Sequence, residues 1–148
     1  MCFGKIGGNI LENFKIENKI PTLEEYKYLC KSVGWEDYMN FEVAETSLRK
    51  SIHCITVMVN EQIVGMGRIV GDGAVYFYIQ DIVVHPDYQK HGIGNEIMKT
   101  LVKYLNTHAP DKAFVGLFAS QGKGPFYEKY NFKDFSPNMT GMFTVITK

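Results

Sequence analysis

Apolar residues at helical spacing dominate the sequence between Pro21 and Lys50. The stretch Thr22-Leu23-Glu24-Glu25 has the pattern of a capping box, in which Thr22 caps the helix and Glu25 reaches back to it. A helix is therefore predicted from Thr22 to Gly34, and its apolar face consists of Leu23, Tyr26, Leu29, Cys30 and Val33. A second helix is predicted over residues 41–50. Before both helices, Phe14-Lys15-Ile16 alternates apolar with polar residues and predicts a short edge strand.

The pattern changes to that of β-strands after residue 52. Runs rich in β-branched and aromatic residues occupy 53–59, 62–70 and 74–84. The segments between them, Asn60-Glu61 and Gly71-Asp72-Gly73, have the composition of turns. Three consecutive strands joined by tight turns predict an antiparallel meander.

A helical pattern returns after Val84, and a further strand follows it. The predicted helix has one apolar face that should pack on the sheet, formed by Ile93, Ile97, Met98, Leu101, Val102 and Leu105. Residues 113–119 then predict a buried strand, and a strand–helix–strand succession requires a parallel, right-handed crossover. A short helix near 126–130 and terminal strands near 133–135 and 142–147 complete an α/β sheet.

Composition limits the classes of protein that this chain can belong to. Its 148 residues are enough for one domain, 1–148, and 16 basic against 16 acidic side chains give no electrostatic footprint for nucleic acid. No apolar run is long enough to cross a membrane, and no signal peptide is expected. Three widely spaced cysteines favour reduced thiols in a cytoplasmic protein, and the four histidines show no metal-ligand spacing.

The segment between Val84 and the third predicted helix carries the first chemical signal. In Gln89-Lys90-His91-Gly92-Ile93-Gly94 the two glycines remove side chains from a loop that leads directly into a helix. The first N–H groups of that helix have no partners within it, and they suit a phosphate or a pyrophosphate. A dinucleotide-binding loop does not fit, since Ile97 stands where a third glycine would be needed, and a Walker loop does not fit, since its Gly-Lys-Ser/Thr sequence is absent.

The whole string VVHPDYQKHGIG, from Val83 to Gly94, resembles the acetyl-coenzyme A loop of the GCN5-related N-acetyltransferases, the GNAT superfamily. The order of predicted elements is also similar to the GNAT fold. The resemblance implies a twisted mixed sheet of about six or seven strands, built from an antiparallel meander and a parallel βαβ crossover, with helices on both faces.

The resemblance also assigns binding roles for acetyl-coenzyme A (acetyl-CoA). It implies that the pantetheine arm lies against backbone groups of one strand end, namely Ile82, Val83 and Val84. It implies that main-chain amides of the loop hold the pyrophosphate, and these belong to Gln89, Lys90, His91, Gly92, Ile93, Gly94 and Asn95. Lys90 or His91 could add a charge-assisted contact, or could be ordinary solvated side chains. Members of the family often carry Arg at the position of Gln89.

A second motif lies near the end of the chain. Phe126-Tyr127-Glu128-Lys129-Tyr130-Asn131-Phe132 resembles the Phe-Tyr-x-x-x-Gly-Phe motif of the family, with Asn131 in the glycine position. Asn tolerates the left-handed backbone conformation that glycine would supply there. By this resemblance Tyr127 is the general acid that protonates the departing coenzyme A thiolate. The alternative is an aromatic residue that packs on the sheet, which is the role expected for Tyr130.

The reaction implied is the direct attack of a primary amine, on a small molecule or a peptide, on the acetyl thioester within a ternary complex. An amine is protonated at neutral pH, so a base is needed, and the candidates are Asp81, Gln80, Tyr78 or water. Asp81 could act as a base through water, or could instead be a fixed hydrogen-bond acceptor that holds a bulge in the strand. Strand alternation predicts that Asp81 faces away from Tyr78 and Gln80. Two other functions stay open: an acyl-CoA binding or sensing domain without turnover, and a structural module. The acceptor amine, the use of a longer acyl group and a possible homodimer are not specified by the sequence.

Overall fold

The computed structural model describes residues 2–4 and 14–148. The chain divides into two compact units, of which the first ends at Gly116 and the second begins at Leu117. The larger, N-terminal unit contains a six-stranded mixed sheet whose strands neighbour one another in sequence order. These strands are β1 Cys2–Gly4, β2 Phe14–Glu17, β3 His53–Val59, β4 Gln62–Gly71, β5 Tyr76–Val84 and β6 Phe114–Gly116. Strands β1 to β5 are antiparallel, whereas β6 is parallel to β5. This arrangement confirms the predicted meander and parallel crossover.

The first predicted strand is not at an edge. Strand β2 pairs with β1 on one side and with β3 on the other, so the prediction of an edge strand at Phe14 to Ile16 was wrong. The short alternation showed that one face is buried, and both Phe14 and Ile16 are indeed buried. It held no information about a partner strand only three residues long.

Helices cover both faces of the sheet, as the resemblance implied. Helices α1 (Leu23–Ser32) and α2 (Phe41–Arg49) pack on the face that carries Cys54, Met66 and Val83. Helix α3 (Ile93–His108) packs on the opposite face, where Gly65 and Gly67 alternate with Met66 along β4. The glycines let α3 approach closely: a Cβ atom added at Gly67 would lie 2.6 Å from Cγ2 of Ile97.

Local hydrogen bonds determine where two of these elements begin. The capping box of α1 is present, because the N–H of Thr22 donates to Glu25 Oε2 at 2.8 Å and the N–H of Glu25 donates to Thr22 Oγ1 at 3.2 Å. Strand β5 begins at Tyr76 rather than at residue 74. The reason is that Asp72 Oδ1 accepts hydrogen bonds from three successive N–H groups, those of Ala74, Val75 and Tyr76, which holds this segment in a turn.

The C-terminal unit, Leu117–Lys148, contains one short helix, α4, over Gly124–Glu128. All of residues 117–148 are described and none of them forms a strand, so the two predicted terminal strands were wrong. The buried strand predicted over 113–119 is also shorter, since β6 ends at Gly116. A strand needs hydrogen-bonding partners, and an apolar pattern cannot show whether a partner exists. Within the described ranges, no helix has the length and apolar character that crossing a membrane requires.

Candidate acetyl-coenzyme A site

The outer edge of β5 loses its neighbour halfway along the strand. Strand β6 pairs with β5 at three positions, the last of which joins Gly116 to Tyr78, while β5 continues to Val84. Over its last residues β5 pairs with β4 alone among the strands of the described sheet. Backbone groups that point away from β4 there lack a ladder partner, and an extended amide chain could bond to them as an added strand does. The edge of β5 without a neighbouring strand therefore includes Ile82, Val83 and Val84, the residues that the resemblance assigned to the pantetheine arm.

A β-bulge interrupts the ladder in the same part of β5. Met66 pairs with Val83 and Arg68 pairs with Gln80, so Gly67 lies opposite two residues, Asp81 and Ile82. Asp81 has φ 54, a left-handed conformation that is uncommon for residues other than glycine. The bulge brings the side chains of Gln80 and Asp81 together, with 3.3 Å between Gln80 Nε2 and Asp81 Oδ1. Simple alternation had predicted opposite faces for these two residues, and the extra residue in the bulge makes that prediction wrong.

The carboxylate of Asp81 is part of a buried ion pair. Its Oδ2 accepts from Arg68 Nε at 2.7 Å and from the hydroxyl of Tyr26 at 3.0 Å. The side chains of Arg68 and Asp81 are only 8% and 3% exposed. The rest of the guanidinium donates to Ser51 Oγ and to the carbonyl and hydroxyl oxygens of Ser47. A carboxylate engaged in this way has no exposed oxygen with which to take a proton from a substrate amine.

Arg68 is the residue of this region that the sequence interpretation missed. It stands alone as a charge within the apolar run of β4, and Asp81 stands alone within the apolar run of β5. A charge is rarely buried without a partner, so two opposite charges on adjacent strands could have been recognised as a pair. Burial, together with the nearby Asp81 carboxylate, raises the pKa of Tyr26, which keeps its hydroxyl a donor.

The segment after β5 is folded by a few local hydrogen bonds. The N–H of Asp87 donates to Nδ1 of His85, and the N–H of Gln89 donates to the carbonyl of Pro86 at 3.3 Å. The side-chain amide of Gln89 donates to the carbonyl of Val84 at 2.9 Å, which ties the loop to the end of β5. One main-chain amide of the predicted set, that of Gln89, is therefore already engaged within the loop.

The next five N–H groups are in a different state. No described residue accepts a hydrogen bond from the N–H groups of Lys90, His91, Gly92, Ile93 or Gly94. Gly92 caps α3 with φ 84, and a Cβ atom added to it would meet nothing within 4 Å. These N–H groups belong to the first turn of a helix that continues to His108 and to the residues just before it, where the helix dipole favours negative charge. The residues present thus fit the diphosphate of a coenzyme A molecule.

The charged side chains around the loop are consistent with that fit. Lys90 and His91 are exposed, and neither forms an ion pair within the described ranges. The acidic residue of the first turn of α3, Glu96, lies 2.8 Å from Lys99 Nζ, which offsets its charge. Residues 89–94 therefore carry one full positive charge, on Lys90, and no acidic side chain, while Asp87 precedes them. Asn95 lies in the same first turn.

An aromatic cluster supports the beginning of the loop. Tyr28 of α1 stacks on the ring of His85, with centroids 5.2 Å apart and planes at 15°, and Tyr88 meets the same ring edge-on. Gln62 Nε2 donates to the hydroxyl of Tyr28 at 2.7 Å. The cluster connects α1 and β4 to the segment that precedes the free N–H groups.

Tyr127 lies on α4 in the C-terminal unit. Its ring meets Phe126 edge-on at 5.0 Å, and burial raises the pKa of its hydroxyl, which keeps it protonated at neutral pH. Asn131 has φ 67, so the residue in the glycine position of the motif adopts the left-handed conformation that was predicted. Among the described residues, no group of His, Cys, Asp and Glu side chains is arranged to hold a metal ion.

Comparisons with known proteins agree on one family. A family model described as an acetyltransferase (GNAT) domain matches residues 22–143. The uncharacterized N-acetyltransferase ycf52 of Pyropia yezoensis is 30% identical over 130 residues, which is 85% of this chain and 73% of that protein. A solved structure from methicillin-resistant Staphylococcus aureus, a probable acetyltransferase of unknown function, is 31% identical with a TM-score of 0.84, and the match covers 90% of this chain and 99% of the other. A GNAT family protein from Streptococcus pneumoniae is 29% identical with a TM-score of 0.74, and that match covers 91% and 99% of the two chains. The chain therefore belongs to the GNAT family of acetyltransferases.

Proposed function

We propose that this protein transfers the acetyl group of acetyl-CoA to a primary amine of a small molecule or a peptide, by direct attack within a ternary complex. One observation carries the proposal: beyond Tyr78 the outer edge of β5 has no partner strand in the described sheet, and shortly after β5 come five N–H groups for which no described residue is an acceptor. An extended amide chain followed by a diphosphate would meet both features in turn, and coenzyme A has that sequence of groups.

The proposed contacts follow from which groups are available. The N–H groups of Lys90 to Gly94 would hold the diphosphate, with Asn95 beside them in the first turn and Gln89 bracing the loop against Val84. The backbone of Ile82, Val83 and Val84 would hold the pantetheine amides. When bound, acetyl-CoA supplies a thioester carbonyl that an uncharged amine can attack.

Proton transfer is divided between solvent and Tyr127 in this proposal. Asp81 is held by Arg68 and Tyr26 in the core, and Gln80 carries a neutral amide, which leaves Tyr78 and water. Of these two, water is the proposed acceptor of the proton from the substrate ammonium. Tyr127 is proposed as the acid because its motif matches the family motif. Its raised pKa supports this role, since an acid must hold its proton at the working pH.

A binding experiment tests the proposal before any acceptor is known. Acetyl-CoA should raise the melting temperature at saturating concentration, because a ligand that binds only the folded state stabilises it. S-acetylpantetheine, which lacks the diphosphate, should produce a much smaller shift at the same concentration. An equal shift from both ligands would show that the loop does not contribute to acetyl-CoA binding. The absence of any shift with acetyl-CoA would remove the proposed function.

The engagement of Asp81 also favours a second candidate, an acyl-CoA binding or sensing domain without turnover. No free carboxylate in β5 is left to act as a base, which a binding domain would not need. Release of free coenzyme A during a screen of small amines and lysine-containing peptides separates the two candidates. Release with at least one amine supports the enzyme, while tight binding without release from any amine supports the sensor.

We further propose that both units belong to one acetyltransferase domain, since the family match at 22–143 includes residues of each.

A homodimer is proposed because the C-terminal unit exposes large apolar side chains, among them Met142 at 87% and Phe143 at 81%. Sedimentation of the wild type and of a Met142→Ser/Phe143→Ser variant tests this proposal, and a monomeric wild type would contradict it.

A reducing compartment, the cytoplasm, is proposed because Cys30 and Cys54 are buried free thiols.

A further inference from the structure

The bulge in β5 occupies a position that matters for the proposed site. It separates Tyr78, the last residue of β5 that pairs with β6, from Ile82 to Val84, the proposed pantetheine edge. The backbone conformation at Asp81 therefore decides in which direction the following N–H and C=O groups point. A left-handed residue in a strand needs surrounding contacts to hold it, because an L side chain is rarely stable there.

The contacts that hold this bulge come from four other parts of the N-terminal unit. Asp81 receives hydrogen bonds from Arg68 of β4 and Tyr26 of α1. Arg68 in turn donates to Ser47 of α2 and to Ser51, which follows α2. Every partner lies on the sheet face that α1 and α2 cover, whereas Ile82 faces α3, where its Cδ1 lies near Gly67. The network thus holds the bulge from the sheet face that α1 and α2 cover. None of its hydrogen bonds uses the backbone groups on the outer edge of β5.

We propose that the Arg68–Asp81 ion pair is the positioning device of the acetyl-CoA site, in that it holds the β5 bulge and so aligns the backbone of Ile82 to Val84 with the pantetheine arm. This inference rests on the proposed function. Arg68, Asp81 and Tyr26 act here as positioning residues, because all three are buried on the sheet face that α1 and α2 cover. None of the hydrogen bonds of this network involves the glycine loop, so the loop should bind a diphosphate without their help.

The test uses a double variant in which both charges are removed together. Arg68→Met/Asp81→Asn leaves no unpaired buried charge, and Asn tolerates the left-handed conformation as Asp does. We expect the melting temperature to stay within about 4 °C of the wild type. The Kd for acetyl-CoA should rise about tenfold. The Kd for adenosine diphosphate, which carries the diphosphate but no pantetheine, should stay unchanged.

The two ligands distinguish alignment from general damage. Equal weakening of both ligands, or no weakening of either, would overturn the positioning role while the wild type still bound acetyl-CoA. Failure of the wild type itself to bind acetyl-CoA would instead overturn the proposed function. Lys31→Met is the control, since it removes an exposed cation that pairs with Glu36 at 3.0 Å, and it should change neither Kd.

A milder variant keeps the inference testable if the double variant does not fold. Tyr26→Phe removes one of the two donors to Asp81 Oδ2 and retains the buried ring. It should raise the Kd for acetyl-CoA about threefold, with adenosine diphosphate again unaffected. Amide hydrogen exchange at Ile82 to Val84 should also become faster in this variant than in the wild type. Unchanged exchange and unchanged affinity together would overturn the inference.

Discussion

The two units of the molecule differ in how completely their side chains are partnered. In the N-terminal unit most large apolar residues of β2 to β5 are buried, with Tyr76 at 60% exposure as an exception. The buried Arg68–Asp81 ion pair also has nearly all its hydrogen bonds satisfied. In the C-terminal unit large apolar residues are exposed by 60% or more, among them Phe135, Met142, Phe143 and Ile146. A unit whose side chains are packed and hydrogen-bonded, such as the N-terminal unit, can hold a ligand in one geometry. We therefore expect changes in the N-terminal unit to alter binding or stability, and changes in the C-terminal unit to alter turnover.

The largest expected effect comes from the C-terminal unit. Tyr127→Phe should lower kcat by about 10² to 10⁴, the range of general acid catalysis, and should leave the Kd for acetyl-CoA unchanged. Tyr130→Phe is the matched control, because it removes a hydroxyl from the same aromatic group around Phe126 and should preserve kcat. Steady-state kinetics with an amine found by the screen measure both variants. An unchanged kcat in Tyr127→Phe would exclude the tyrosine from the mechanism.

The pH dependence of the same step follows from the direction of the pKa shift. Burial raises the pKa of Tyr127 above its ordinary value of 10.0, so the acid form persists over the whole neutral range. Loss of kcat through deprotonation of this hydroxyl should therefore begin only above about pH 10. In Tyr127→Phe that alkaline loss should be absent. A fall in kcat near pH 8 would point to another group.

The second prediction concerns the loop of the N-terminal unit. Gly92→Asp should raise the Kd for acetyl-CoA by about a hundredfold or more, because a carboxylate would face the diphosphate at short range. Gly92→Asn is the matched control: Asn has the same size, adopts the left-handed conformation of Gly92 equally well and carries no charge. The difference between the two variants measures the electrostatic part alone. Equal affinities would place the diphosphate elsewhere.

Much of the glycine loop and of the β-meander was predictable from the sequence, because both depend on residues that are close together in the chain. Two glycines before an amphipathic helix indicate free N–H groups, and the meander follows from apolar runs separated by turn residues. The C-terminal unit was less predictable for a physical reason. Residues 142–147 have the pattern of a strand, but an apolar pattern shows which side chains favour burial and not what covers them. The structure leaves Met142 and Phe143 uncovered.

The bulge in β5 was also beyond simple periodicity. Alternation assumes one residue on each strand for every pair, and the extra residue at Asp81 shifts the side chains on one side of it. The sequence contained a clue in the lone charges of Arg68 and Asp81. It did not contain the φ value that places Gln80 and Asp81 on the same face.

A third prediction tests how tightly α3 is packed on the sheet. A Cβ atom at position 67 would lie 2.6 Å from Ile97 Cγ2 and 2.8 Å from Ile82 Cδ1. Gly67→Ala should therefore reduce the free energy of unfolding by about 1–3 kcal/mol through overpacking. Gly124→Ala is the control in the C-terminal unit, where an added Cβ meets nothing within 4 Å, and it should cost nothing. Chemical denaturation measures both, and equal stabilities would show that α3 can shift freely.

The smallest expected effect concerns the one long cation of the loop. Lys90→Gln should weaken acetyl-CoA binding about three- to fivefold at low ionic strength, because an exposed ammonium near a diphosphate adds only a modest attraction. Lys103→Gln is the control on α3, where position 103 lies about 15 Å along the helix from Ile93, beyond the screening length in physiological salt. Calorimetric titrations at two salt concentrations compare the variants. If Lys90 contributes, its effect should shrink as salt increases, whereas the five N–H groups should still account for most of the affinity. An effect of Lys103→Gln as large as that of Lys90→Gln would show that the ligand responds to the net charge of α3 rather than to the loop.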